Sequence, residues 1–189
     1  MASLTALYDA CVLYPAPLRD LLMRLALTGL FRARWTDAIH EEWMRNVLRN
    51  NPHLTRKQLE RTRNLMNENV RDCLITGYED LIDRLTLPDP GDRHVLAAAI
   101  QGRADVIVTF NLKHFPAGAL KRKRIDAQHP DDFVSRLLDL DPIRVYGAVR
   151  EQRQALKNPP RTVDELLDTL ERLQLPQTVA RLRMARALL

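Results

Sequence analysis

The chain has 189 residues and a hydrophobic fraction of 46%, enough for one domain with at most an appendage, and apolar enough for a core. Its 29 Lys and Arg against 24 Asp and Glu leave a formal charge of +5, which favours polyanionic partners, and most of the cations are arginine, the better bidentate phosphate ligand. Two cysteines without a CxxC or Cys/His cluster argue against zinc, and with no leader-like N-terminus and no long apolar run the expectation is a cytoplasmic protein without a membrane partner.

Leu4 to Tyr8 reads as a short buried strand that ends on Asp9. Pro15-Ala16-Pro17 breaks the chain, and Leu18 to Leu27 follows at helical period, with Gly29 as its stop. Leu30 to Trp35 is short and β-compatible. Thr36 or Asp37 caps a helix to about Arg49, with Ile39, Trp43, Val47 and Leu48 as its apolar positions. Thr55 caps another to about Val70. Cys73 to Ile75 carries a weak strand signal, and Tyr78 to Arg84 reads as a helical turn. Pro88 to Gly91 is a turn, and Asp92 falls in the first helical turn after it, where a carboxylate is favoured. Ala104 to Phe110 is the clearest strand. Pro116 to Leu120 predicts a short helix and Arg124 to Ala127 a short strand; Pro130-Asp131-Asp132 opens a helix to about Leu140.

Strands alternating with helices predict an α/β layer fold with a largely parallel sheet. After Asp141 the character changes. Pro142, Pro159, Pro160 and Pro176 divide three helical segments, two of them amphipathic (162–170 and 179–182). The expected organisation is a domain over 1–140 and a helical subdomain over 141–189.

In an open α/β sheet, ligands sit beyond the carboxyl ends of the strands. Asp9, Asp92 and Asn111 are expected to meet at that edge. Oxygen ligands from distant positions suit a hard divalent cation, so a metal-dependent enzyme is the reading, against the blander one of helix caps and solvated faces. Asp89 is turn chemistry in Pro-Asp-Pro-Gly or an addition to the cluster. Thr109 is a hydroxyl for the site or an ordinary β-branched strand residue. His94, two residues past Asp92, is expected to point away from it. His114 either faces the site or does not; Asp105 begins its strand at the far edge. Lys121-Arg122-Lys123-Arg124 is the densest basic run. It is a solvated loop, or a rim that holds an RNA backbone beside the cluster. Cys11 occupies the place where an aspartyl-phosphate phosphatase needs a second aspartate, and no Gly-rich turn follows the first strand to bind a dinucleotide.

Taken in order, Leu7-Tyr8-Asp9-Ala10-Cys11-Val12-Leu13-Tyr14, Ile39-His40-Glu41-Glu42-Trp43, Asp92-Arg93-His94-Val95-Leu96-Ala97-Ala98-Ala99 and Val106 to Phe115 with Thr109-Phe110-Asn111 resemble the PIN domain, most closely the VapC-type toxin ribonucleases. Pro130-Asp131-Asp132-Phe133 looks like that family's closing strand-to-helix junction. The resemblance implies a three-layer α/β fold and an acidic cluster that binds one or two Mg2+ or Mn2+ ions and hydrolyses RNA phosphodiesters. Asp9 then takes the first-strand carboxylate's role, Glu42 the helix glutamate's, with Glu41 as the close alternative. Asp92 opens the Ala-rich helix, and Asn111 stands in the Thr-x-Asp/Asn slot. Many relatives carry an aspartate there or three residues on, where this chain has His114. That departure removes negative charge from the site and motivates an alternative, a catalytically inactive RNA-binding or scaffold module. The resemblance further implies an RNA substrate, a cognate antitoxin and a homodimer.

Overall fold

The structure, a computed structural model, describes residues 4–189. In chain order its main elements are β1 (Thr5–Tyr8), α1 (Ala10–Leu13), α2 (Ala16–Leu27), β2 (Arg32–Arg34), α3 (Asp37–Asn50), α4 (Arg56–Asn69), α5 (Glu79–Ile82) and α6 (Arg93–Gln101). They continue with β3 (Val106–Val108), α7 (Ala117–Leu120), β4 (Asp126–Gln128), α8 (Pro130–Leu140), α9 (Pro142–Ala155), α10 (Val163–Arg172) and α11 (Pro176–Met184). Among the described residues no helix is long and apolar enough to cross a membrane.

The fold is α/β, and the four strands form one all-parallel sheet in the order β2-β1-β3-β4. Ala6, Leu7, Tyr8, Val106, Ile107 and Val108 are buried, as continuous apolar strands of a parallel sheet are. The central register pairs Ala6 with Val106, Leu7 with Ile107 and Tyr8 with Val108. From β1 the chain proceeds to β2 on one side, and from β3 to β4 on the other. The gap between the carboxyl ends of β1 and β3 is therefore the topological switch point, where crevices open in such sheets.

The helix starts follow from local chemistry. The Thr36 hydroxyl accepts from the Ile39 N–H (3.1 Å) at the head of α3. Thr55 and Gln58 form a capping box at the head of α4. A buried polar chain ties these helices together. The Trp43 indole N–H donates to His40 Nδ1 (3.0 Å), so His40 carries its proton on Nε2, 3.0 Å from Asn67 Oδ1. The same Asn67 oxygen accepts from the Trp35 indole (2.8 Å). Burial lowers the pKa of His40, which keeps the ring neutral in this role.

Two elements are shorter than the sequence suggests. Cys73 to Ile75 makes only one parallel bridge, Trp35 to Leu74, through Trp35 N–H to Cys73 O and Ile75 N–H to Trp35 O. The chain departs after these two bonds. The strand expected over 104–110 narrows to Val106–Val108, with Thr109 making one more backbone bond, its N–H to Gln128 O (2.9 Å), while its hydroxyl turns to a carboxylate.

Residues up to Tyr14 group with Phe31–His129, and Pro15–Leu30 group with Pro130–Leu189. The boundary expected near 140–145 thus falls inside the second unit. The reason is non-local. α2 packs against α9, and α8 packs against α9 and α11. Asp131, 2% exposed, accepts the Thr178 N–H (2.8 Å) and the Gln177 N–H (2.9 Å), capping α11 from a distance. The Gln152 amide donates to Pro17 O (2.7 Å) within the same unit.

Gly102 ends α6 through its N–H to Ala98 O (2.8 Å). A Cβ there would run into Cδ1 and Cγ1 of Ile75, itself buried. Gly102→Ala is expected to lower unfolding free energy by about 1–3 kcal/mol, read from the denaturant midpoint. Adding Ile75→Val, which removes Cδ1, recovers part of that loss.

Candidate active site

Asp9 continues the central ladder for one bond, its N–H donating to Val108 O (3.1 Å). It then caps α1, Oδ1 accepting the Ala10 N–H (2.7 Å). Oδ2 accepts the Thr109 hydroxyl at 2.6 Å and the Cys11 thiol at 3.2 Å. Thr109 in turn accepts the Asn111 N–H (3.0 Å), and Cys11 Sγ accepts the Phe110 N–H (3.3 Å). The carboxylate is 2% exposed. Burial pushes its pKa up; the Thr109 and Cys11 bonds oppose this, and the Asp92 and Glu42 carboxylates add to it. Cys11 is thus an immediate neighbour of Asp9. Burial and the adjacent Asp9 drive its pKa upward, so it serves as a hydrogen-bonding thiol. Its spacing, two residues beyond a strand-ending carboxylate, is the signal that could have found it.

Asp92 closes the 3-10 turn Pro90–Asp92 and precedes α6, but makes no capping bond. The turn is capped by Asp89, whose Oδ1 accepts the Gly91 N–H (2.8 Å). The Asp92 carboxylate is left for other work, and its Oδ2 lies 2.6 Å from His114 Nδ1. Its pKa is raised chiefly by burial, opposed by His114 and reinforced by Asp89 and Glu42. Glu42 on α3 adds a smaller upward push to both aspartates.

Glu42 and Glu41 point differently, as neighbours about 100° apart on a helix must. Glu41 is bound by Arg56 Nη2 (2.8 and 3.0 Å), with Arg63 at 3.9 Å. Glu42 Oε2 instead lies 3.4 Å from His94 Nε2. His94 was expected to face away. What it faces is Glu42 on α3. His94 Nδ1 is buried without a partner among the described residues.

Asn111 follows β3 at the same edge, half-buried, with its N–H fixed on Thr109. His114 faces the site, held in a 3-10 turn by its N–H to Asn111 O (2.9 Å). The basic run is elsewhere. Lys121–Lys123 form a 3-10 turn, Arg124 is left-handed (φ 58°), and Asp126 then donates to Asp105 O (2.9 Å). Asp105 is at the amino end of β3, bonded to Thr5. Parallel register therefore puts Lys121, Arg122, Lys123 and Arg124 at the edge opposite Asp9, and the expected rim beside the cluster is not formed by them.

Among the described residues no Lys or Arg pairs with Asp9, Glu42 or Asp92. Carboxylates that raise one another's pKa without a Lys or Arg counter-ion have the donor chemistry for a divalent cation. The sign of the pH effect follows. Asp9 and Asp92 have folded pKa values above the ordinary 3.8. Between the unfolded and folded values the native chain holds the extra protons, so this contribution to stability declines as pH rises through the folded pKa. Metal-free wild type should lose stability relative to Asp9→Asn on going from about pH 4 to about pH 7. Mn2+ should restore it in wild type but less in the variant, as thermal melts in chelator and in Mn2+ would show.

Residues 5–113 match the family model described as PIN domain, and residues 130–184 match that described as VapC50 C-terminal domain. The "Putative ribonuclease VapC50" of Mycobacterium tuberculosis (strain ATCC 25618 / H37Rv) is 48% identical over 107 residues. That stretch is 57% of this chain and 62% of the relative, so less than two thirds of the relative's length is spanned. No solved structure matches the chain. The PIN-domain match covers more than half of the sequence and takes in Asp9, Glu42, Asp92 and Asn111. With an all-parallel sheet and both matches in sequence order, this chain belongs to the PIN-domain family, among its VapC-type members.

Proposed function

We propose that this protein is an Mg2+- or Mn2+-dependent endoribonuclease, the toxin of a type II toxin–antitoxin pair. What supports the reading is that the Asp92 and Glu42 carboxylates add to the raised pKa of Asp9, while among the described residues no Lys or Arg pairs with any of the three. The name of the relative, a ribonuclease, supports it. RNA is the substrate, a cognate antitoxin the partner that silences it, and a homodimer the assembly.

Each side chain has a definable task. Asp9, Glu42 and Asp92 hold the cation, and the Asn111 amide oxygen stands ready at the exit of β3 for a water or for substrate. When bound, the cation activates water and neutralises the charge of the phosphodiester. Thr109 and Cys11 fix Asp9 Oδ2, and the Ala10 N–H fixes Oδ1, so this carboxylate does not swing. His94 steadies Glu42. Lys121, Arg122, Lys123 and Arg124, at the other edge of the sheet, would touch RNA only away from the scissile bond. The net charge of +5 draws the polyanion in.

RNA cleavage by the purified chain is the test. Asp9→Asn and Asp92→Asn should each lower the rate by more than about a hundredfold, beyond the cost of losing an outer-shell partner. Glu41→Gln, whose carboxylate is engaged by Arg56, should leave it within about threefold. Chelation should abolish it and Mn2+ return it. RNA binding by wild type without cation-stimulated cleavage would instead establish the inactive binding module.

A further inference from the structure

We propose that the amino edge of the sheet is a docking strip for an RNA backbone, formed by Arg32, Arg103, Lys121, Arg122, Lys123 and Arg124 and separate from the carboxylate site. This rests on the nuclease reading above and names the part of the chain that holds a long RNA by its phosphates.

Strand register collects these cations from three distant segments. β2 starts on Arg32, which pairs with Thr5. The Thr5 N–H donates to Asp105 Oδ2 (2.7 Å), and Asp105 O accepts the Asp126 N–H (2.9 Å). The starts of β2, β1, β3 and β4 thus form one row, with neighbouring strands about 4.8 Å apart. Arg103 stands two residues before Asp105 and Arg124 two before Asp126, with Lys121–Lys123 in a 3-10 turn just ahead.

All six cations are exposed. Arg56, Arg144, Arg181, Arg183 and Arg186 each meet a carboxylate. Among the described residues none of the six does. The carboxylates in the row are already engaged, Asp105 by the Thr5 N–H and Asp126 by the Ala127 N–H (2.9 Å) and the Gln128 amide (3.0 Å).

Two of the arginines hold a backbone conformation that their own side chains disfavour. Arg103 has φ 50° and Arg124 φ 58°, the left-handed region, where a Cβ crowds the following carbonyl oxygen and glycine is the relaxed residue. The same pattern enters both strands: a left-handed arginine, a buried apolar residue (Ala104 or Ile125), then an aspartate bonded within the row. Local folding favours glycine at both places, so the guanidinium, reaching a polyanion, accounts for the arginine.

Thr5 to Asp9 advances four residues, so the strip lies about 13 Å from the site. That exceeds the screening length of about 8 Å in physiological salt, and the two regions act separately. Without a cation the carboxylates repel RNA, so the binding that remains belongs to the strip.

The test measures binding of poly(U) to the full chain in chelator, which prevents cleavage. Wild type should bind. Arg103→Gly with Arg124→Gly should bind at least about tenfold more weakly and flatten the slope of log affinity against log salt by about 1.4. Its melting temperature should be unchanged or higher, since glycine relaxes both turns. Lys121→Gln with Lys123→Gln, which touches no left-handed residue, should weaken binding to a similar degree. Lys57→Gln with Arg61→Gln removes the same charge from the exposed face of α4 and should change affinity less than about twofold. No loss in the first two pairs, or an equal loss in the α4 pair, overturns the proposal. Unchanged poly(U) binding with weaker binding of polyglutamate also overturns it and gives the strip to an acidic protein. Wild type that cleaves RNA while the first two pairs bind poly(U) normally refutes this inference alone. Poly(U) binding that depends on those residues in a chain that never cleaves RNA upholds it and refutes the nuclease reading.

Discussion

The parallel pairing of β1 with β3 is the constraint on which the site depends. It brings Asp9 and Thr109, 100 residues apart in sequence, to neighbouring strand ends and joins them by a 2.6 Å hydroxyl–carboxylate bond. Any other strand order would put the first carboxylate beside a different loop. A shift of one residue in register would turn the Thr109 hydroxyl to the opposite face. The strands that carry this arrangement are only three or four residues long, so ladder bonds alone do not secure it. Complete burial of Ala6, Leu7, Tyr8, Ile107 and Val108 does, since a slipped strand would present its apolar set to solvent.

The carboxylates oppose the fold that collects them. Burial and mutual repulsion both raise the pKa of Asp9 and Asp92, an unfavourable contribution whenever the groups are charged and no cation is present. The surrounding structure absorbs it. Asp9 is fastened on both oxygens, and α3 is held to α4 through Trp35, His40, Trp43 and Asn67. That neutral network lies on the helix that presents Glu42, and α3 cannot rotate to relieve the crowding without breaking it. Glu41 shows the alternative fate of a carboxylate one residue away: it finds two arginines on α4 and becomes a surface ion pair.

The helical unit follows a different logic. Its charged residues mostly satisfy one another or the backbone, with Asp131 receiving two N–H groups at the start of α11 and Arg181 donating to Ser135 O (2.7 Å). At the strand-to-helix junction Pro130-Asp131-Asp132, Asp131 is a buried structural cap.

Much of this protein is readable from local patterns. The helix caps at Thr36 and Thr55, the turn at Pro88 to Gly91, the buried strand ending on Asp9 and the parallel α/β class all follow from apolar period, turn residues and side-chain-to-backbone bonding within a few positions. Asp92 is legible from its place in the first turn after Pro88 to Gly91, whereas Glu42 is singled out only by the resemblance; the fold separates it from Glu41 in that Glu41 meets Arg56 and Arg63 and Glu42 meets His94. Tertiary structure alone decided the inward turn of His94, the approach of His114 to Asp92, the inclusion of Cys11 beside Asp9, the displacement of the 121–124 run to the far edge and the pairing of α2 with the C-terminal helices. The physical reason is the range of the forces involved. Caps and period are fixed by neighbours in sequence, whereas the direction of a side chain and the edge on which a loop emerges depend on strand order and on packing partners more than a hundred residues away.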